Sequence, residues 1–344
     1  MKKISLITIC CLFSTNAFAL DYSTRKWDFQ LDADGMAGFL ETKNDKPLGI
    51  FDWDVKASAI YHLNSTQRIG AVYSIDAACV EDDEYIHDAF VLFQDRTIGR
   101  AEFGLTHSIA RKMGLGLPDV GDLRLNNKSI LYNKLNFDKV LISDTTATTG
   151  HESLRLNLAT IHTGFGQYGV SFAAFGSDYD FAIDTAVKFK QSGGKLKSAY
   201  SFALSYMDKP HGYEENSYTP SVYADWRGQA ALGLNLQYNS FIFGTSLRLI
   251  YDEKPTLKTS DGLIAGAGIS YEFLQSSISF NYLFSDTNLW KHHDIRTGKE
   301  MSGDYINTII ASFKYKYTEH TSIFMSGGIA YTTPFFAVGI KTGF

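Results

Sequence analysis

The stretch that decides the fold is PFFAVGIKTGF, Pro334 to Phe344. Phe336, Val338, Ile340, Thr342 and Phe344 fall on one side at a spacing of two, and Phe335, Ala337, Gly339, Lys341 and Gly343 fall on the other. A period of two belongs to an extended strand, whose side chains alternate between its faces. One face here is apolar, and the pattern runs to a final aromatic where frayed polar residues are the norm. Such a strand needs a partner for its backbone and an apolar surrounding for its face.

Upstream, segments of about ten alternating residues recur with turn signals between them, the signature of a membrane barrel. Alternation predicts strands over 27–39, 51–63, 68–78, 85–94, 98–106, 153–163, 168–175, 181–190, 195–206, 229–238, 241–251, 263–273, 277–285, 305–317, 321–331 and 335–344, sixteen in all. Tyr218 to Trp226 also alternates, but a single-chain antiparallel barrel takes an even number, so it reads as loop. The connections sort by length. Seven that share one end are short, such as Asn239-Ser240 and Gln191-Ser192-Gly193-Gly194, and the three longest gaps (107–152, 207–228 and 286–304) all fall at the other end. Short periplasmic turns and long external loops are the outer-membrane pattern. In FIFGTSLRLIY, Phe241, Phe243, Leu247, Leu249 and Tyr251 oppose Gly244, Ser246 and Arg248. Alternation alone does not say whether that apolar face meets lipid or a dry core. The aromatic strand ends Tyr238, Tyr251, Tyr317 and Tyr331 point to lipid, where such residues form girdles at the interfaces.

Composition agrees. The 344 residues begin MKKISLITICCLFSTNAFA, with two lysines, an apolar centre and Ala17-Phe18-Ala19, which reads as a secretory signal peptide cut after Ala19. The apolar run is too short to span a bilayer, and Ile9 before Cys10 argues against a lipoprotein signal. Cleavage leaves residues 20–344 with Cys79 as the one cysteine, so no internal disulfide is expected. The formal charge is −5, and −7 once Lys2 and Lys3 are removed, which argues against a nucleic-acid binder. No later stretch approaches the ~18 uncharged apolar residues of a transmembrane helix. Pro is scarce at 6, while Gly (29), Tyr (20) and Phe (25) are abundant. The expected fold class is an all-β, transmembrane, antiparallel barrel.

Three stretches carry a resemblance. HDAFVLFQDRTIGRAEFG (His87 to Gly104), GLPDVGD (Gly116 to Asp122) and ESLRLNLATIHTGFGQYGVSFAAF (Glu152 to Phe175) follow one another in the order and placement of a known family's fourth and fifth strands, third loop and following hairpin. The chain resembles the trimeric general-diffusion porins of Gram-negative outer membranes. The resemblance implies a homotrimer, barrel assembly by the outer-membrane machinery, and a third external loop (107–152) folded inward to narrow the channel. It implies acidic loop residues facing basic wall residues. On that basis Asp119 matches the loop acid, with Asp122 nearby, and Arg155 the sixth-strand base. His87 stands where the family has Arg, and Leu115 where it has a second acid. Lys56 is chosen for the second strand, with Arg68 and Arg100 as lumen neighbours. The trimer face would use small residues of the first strands, Ala33, Gly35, Ala57 and Ala59, although the segment Cys79 to Glu84 is short for the family's inter-subunit latch.

Physical reasoning runs in parallel. A barrel of about 16 strands leaves an aqueous channel too wide to select small solutes, so an inward segment must supply the constriction. Opposed charges across it favour polar solutes and ions. The residues leave alternatives. Asp119 either lines the pore or caps a turn after Pro118. Arg155 sits on the polar face of its strand. His87 is ambiguous, because Asp88 shares its parity with Ile86, Phe90 and Leu92. Arg68 suits the lumen or the periplasmic rim. The acids Asp28, Asp32, Asp34, Asp52 and Asp54 lean the expectation toward cations.

No cofactor or metal is expected. Lys291-His292-His293-Asp294 reads as an exposed loop and Glu81-Asp82-Asp83-Glu84 as a solvated tip that could attract Ca²⁺. No nucleophile elbow or phosphate loop occurs, so an enzyme is not expected. The function expected is passive diffusion of small hydrophilic solutes. The alternatives are a sugar- or organic-acid-specific porin and a non-conducting adhesin barrel.

Overall fold

A computed structural model of the chain describes residues 20–42, 47–79, 84–121, 154–160, 166–174, 180–209, 211–213, 220–222, 225–253, 262–286, 305–330 and 333–343. The leader, Asp122, the rest of the loop to 153, Glu81–Asp83, Lys291–Asp294 and Phe344 lie outside the described residues.

Sixteen strands form the wall. The first eight are β1 (Trp27–Thr42), β2 (Leu48–His62), β3 (Gln67–Cys79), β4 (Glu84–Asp95), β5 (Gly99–Leu105), β6 (Leu154–Ala159), β7 (Gln167–Ala174) and β8 (Phe181–Gly193). The rest are β9 (Leu196–Asp208), β10 (Trp226–Tyr238), β11 (Phe241–Glu253), β12 (Gly262–Phe273), β13 (Ser276–Asp286), β14 (Tyr305–Lys316), β15 (Thr321–Ala330) and β16 (Thr333–Gly343). Each pairs antiparallel with the next, and β16 closes on β1 from Phe335↔Thr42 to Gly343↔Asp34. Closure leaves no sheet edge whose backbone groups lipid would have to satisfy. Below Gly343, the short strand Leu20–Ser23 takes over the pairing with β1, from Leu20↔Leu31 to Ser23↔Asp28. Among the described residues, the alternating segment near Tyr218 holds the short strand Pro220–Val222, which pairs with His211–Tyr213 in a separate hairpin, and Trp226 opens β10.

Which face meets which solvent is now decided. Phe243, Leu249, Phe280, Tyr282, Ile323, Met325, Phe336 and Ile340 are exposed on the outer face. Ser246, Arg248, Ser279, Asn281, Ser312 and Ser326 are buried on the inner one. A water-soluble sandwich would bury the first set and expose the second. This wall does the reverse, as a barrel in lipid must. No helix among the described residues is long and apolar enough to cross a membrane.

The turns at the short-turn end have local causes. The Asn64 carboxamide oxygen accepts from the backbone N–H groups of Thr66 and Gln67, both at 2.9 Å. Asp95 accepts from the Thr97 N–H at 2.8 Å and the Thr97 hydroxyl at 2.5 Å. Gly194 takes φ 58° in the two-residue β8–β9 turn, a left-handed conformation that costs glycine little.

Candidate channel constriction

After β5 the chain turns into the barrel. Ser108 caps a single helical turn, α1 (Ile109–Met113), its hydroxyl oxygen accepting from the Arg111 N–H at 3.2 Å. Ile109, Ala110 and Met113 of α1 are buried against Ala186, Ala203 and Ala231, one from each of β8, β9 and β10. An ideal Cβ placed on Gly169 of β7 would collide with Ile109 and lie 2.9 Å from the Met113 methyl. Beyond α1, Leu117 and Pro118 lie over Gly266, Gly244 and Gly268, where an added Cβ would stand 2.8 Å from Leu117 and 2.6 Å from Pro118 at the first two. Asp119 then accepts from the hydroxyls of Ser279 (β13) and Ser312 (β14), each at 3.2 Å, and the Val120 N–H donates to Ser279 at 3.2 Å. Gly121 abuts Ser312 and Ser326.

These contacts run from β7 to β15. Eight strand steps at ~4.8 Å make about 38 Å of wall. One helical turn and eight extended residues reach about 34 Å. The segment is shorter than the arc that it subtends, so it lies inside the barrel, and small wall residues let it lie flush.

Its start is fastened by one carboxylate. Glu102 on β5, 6% exposed, accepts from the Lys112 ammonium and from Asn157 Nδ2 at 3.1 Å, and forms an ion pair with Arg100, whose Nε stands 2.7 Å from Oε1. Lys112 also donates to Thr106 Oγ1 at 2.7 Å and lies 4.6 Å from the centre of the Phe90 ring. Asn157 donates to the His107 carbonyl at 2.9 Å and accepts from Ser171 at 2.6 Å. Two cations and an amide thus hold a buried acid that would otherwise be costly.

Between this anchor and the first strands a space of about 480 Å³ stays open. Asp54, Lys56, Ser74 and Asp88 border it from β2, β3 and β4, Arg100 and Glu102 from β5, and His107 and Lys112 from the segment.

No family model and no curated protein matches this sequence. Solved structures do match. Salmonella typhi OmpF, solved with daunomycin, superposes with a TM-score of 0.67 at 9% identity, covering 94% of this chain and 100% of that one. The anion-selective porin from Comamonas acidovorans gives 0.58 at 11%, covering 93% and 100%. OmpT of Vibrio cholerae in its trimer form gives 0.59 at 8%, covering 93% and 100%. The fold is that of the porins.

Within this porin fold the sequence-predicted residues separate. Lys56 and Arg100 border the open space together. Arg68 lies at the short-turn end, donating to Gln94 from Nε at 3.1 Å and Nη2 at 2.7 Å. Arg155 faces inward as expected but is sealed. It pairs with Asp184 at 3.2 Å, and both side chains are 0% exposed. Asp119 sits against the β13–β14 wall, away from the lining of the open space. His87 stands in β4 opposite Ile75, with its side chain outside the described set; the neighbour that borders the space is Asp88. Sequence reasoning did not single out Glu102, Asp88 or Asp184. A signal existed for Glu102: an inward acid two residues after Arg100, followed by a lysine one helical turn into the loop.

Proposed function

We propose that this protein is an outer-membrane diffusion channel for small hydrophilic solutes and ions, with its short turns in the periplasm and its long loops outside. One observation carries the reading: a closed sixteen-strand barrel, apolar outside and polar inside, with an inward segment that leaves a charge-lined passage against β2–β5. The open space is bordered by Asp54, Asp88 and Glu102 and by Lys56, Arg100 and Lys112, with Glu102 neutralised by its two cations. Asp32 and Asp34 on the inner face of β1 add negative charge beside it, which supports a mild preference for cations.

The trimer form of the Vibrio cholerae neighbour supports a homotrimer here. Ala33, Gly35, Ala57 and Ala59 share the outward alternation of β1 and β2, each opposite a larger residue (Val55, Trp53, Leu31 and Phe29), and this face would carry the contact.

Planar-bilayer recording across a salt gradient tests the proposal. Stepwise ohmic currents with a reversal potential of cation sign are expected, together with a trimer band in unheated detergent. A folded, heat-modifiable protein that passes no current would overturn the channel reading in favour of a plugged interaction barrel.

A further inference from the structure

The β8–β9 hairpin reads KFKQSGGKLK, and between Asp184 and Asp208 the chain has four lysines and no acid. Lys188 and Lys190 alternate with the outward Phe189, and Lys197 follows the outward Leu196, so all three fall on the inward rows of β8 and β9, with Lys195 in the turn. Lys188 and Lys190 are two residues apart on one face, about 7 Å. Lys197 pairs with Ser192 and is therefore the diagonal neighbour of Lys190, again about 7–8 Å.

The residues opposite them are neutral: Gln167 and Ser201 beside Lys188, and Ser192 and Gln237 beside Lys197. Among the described residues none of the four lysines makes an ion pair. Like charges placed this close on a sheet destabilise it. A fold that keeps them on a lumenal wall, with amide and hydroxyl groups between, presents a ready binder for multivalent anions. Lys188, Lys190 and Lys197 stand on the lumenal rows, on the opposite face from the lipid.

We propose that this hairpin is an anion subsite at the short-turn mouth of the lumen, taking small polyanions of the phosphate and pyrophosphate class. Ammonium groups bind such oxyanions as point charges, with no need of a fixed geometry. The subsite starts at the edge of the space bordered by Asp54 and Asp88, because Gln167 beside Lys188 also lines that space, and it runs from there to the short-turn mouth. Its effect on transport rests on the channel reading; its binding does not.

The test uses the full-length protein in detergent, with pyrophosphate binding measured by titration calorimetry at low salt and phosphate by ³¹P line broadening. The wild type should bind, and should bind less as KCl rises past the concentration where screening reaches about 10 Å. The triple variant Lys188→Gln/Lys190→Gln/Lys197→Gln should bind about tenfold more weakly, the product of three exposed charge interactions. Lys209→Gln, at a lysine paired with Asp180 at the opposite end, should bind as the wild type does. Heat-modifiable migration shows that each variant is folded, and Lys190→Glu alone provides a second, milder perturbation in the same direction. In bilayers, pyrophosphate added on the short-turn side should block the wild-type current and spare the triple variant. Equal binding by the wild type and the triple variant, or equal loss in Lys209→Gln, would overturn the subsite. Binding without any current would overturn the channel and leave the subsite standing.

Discussion

The two halves of the barrel wall are built to opposite ends. Between β7 and β15 the wall residues directly beneath the inward segment are mostly Gly, Ala and Ser, and the segment is seated on them. From β2 to β5 the inner face carries Asp54, Lys56, Asp88, Arg100 and Glu102, and the anchor of the segment borders the same space as they do. The same strand geometry serves both. What differs is side-chain volume and charge, and that difference decides where a solute can pass. A wall meant to receive a polypeptide must be short-chained and neutral, because a buried unpaired charge beneath it would be costly. A wall meant to face water can keep its charges.

The largest expected effect comes from removing the joint between the halves. Glu102→Ala leaves Lys112 and Arg100 without their shared acid and should weaken the seat of the segment by about 3–5 kcal/mol. Limited proteolysis within 106–121 and noisy single-channel current would register it; an unchanged protease pattern would mean that the anchor is dispensable. Next, Gly244→Leu drives a branched side chain into the rigid Pro118 ring and should cost about 1–3 kcal/mol by overpacking. It should also push the segment inward and lower conductance. Gly266→Ala should do less, since the atom that it meets is the mobile tip of Leu117.

Charge changes sharpen the contrast further. Asp54→Asn with Asp88→Asn should move the reversal potential toward anions, and Lys56→Gln should move it toward cations. Replacing the sealed pair together, Arg155→Met with Asp184→Leu, should leave it where it was, since neither side chain reaches water. A clear shift in that double variant would erase the distinction between an open and a covered wall. The smallest effect belongs to Asp119→Asn. It should cost about 1 kcal/mol through weakened hydroxyl contacts and give the least anion shift of the carboxylates named.

Alternation made the barrel legible. All sixteen strands fall where the period of two places them, because lipid on one face and lumen on the other impose that period on every crossing. What alternation cannot show is whether an inward residue is covered. Arg155 and Arg100 look alike in sequence, each on the polar row of its strand, yet the first is sealed and the second borders water. His87 was ambiguous for a related reason. Its partners on the other parity, Phe90 and Leu92, are apolar yet inward, packed with Val72 in a small cluster beside Lys112. The track beneath the segment was invisible because Gly169, Gly244 and Ser312 are far apart in the chain and meet only through strand register.

The glycines of that track carry a last implication for size. The bore is governed partly by atoms that are not there: each missing methyl lets the segment retreat toward its bed and hands the vacated width to whatever swims past. A descendant wanting a finer sieve would need no new loop; restoring a few carbons on the far bank would move the near one.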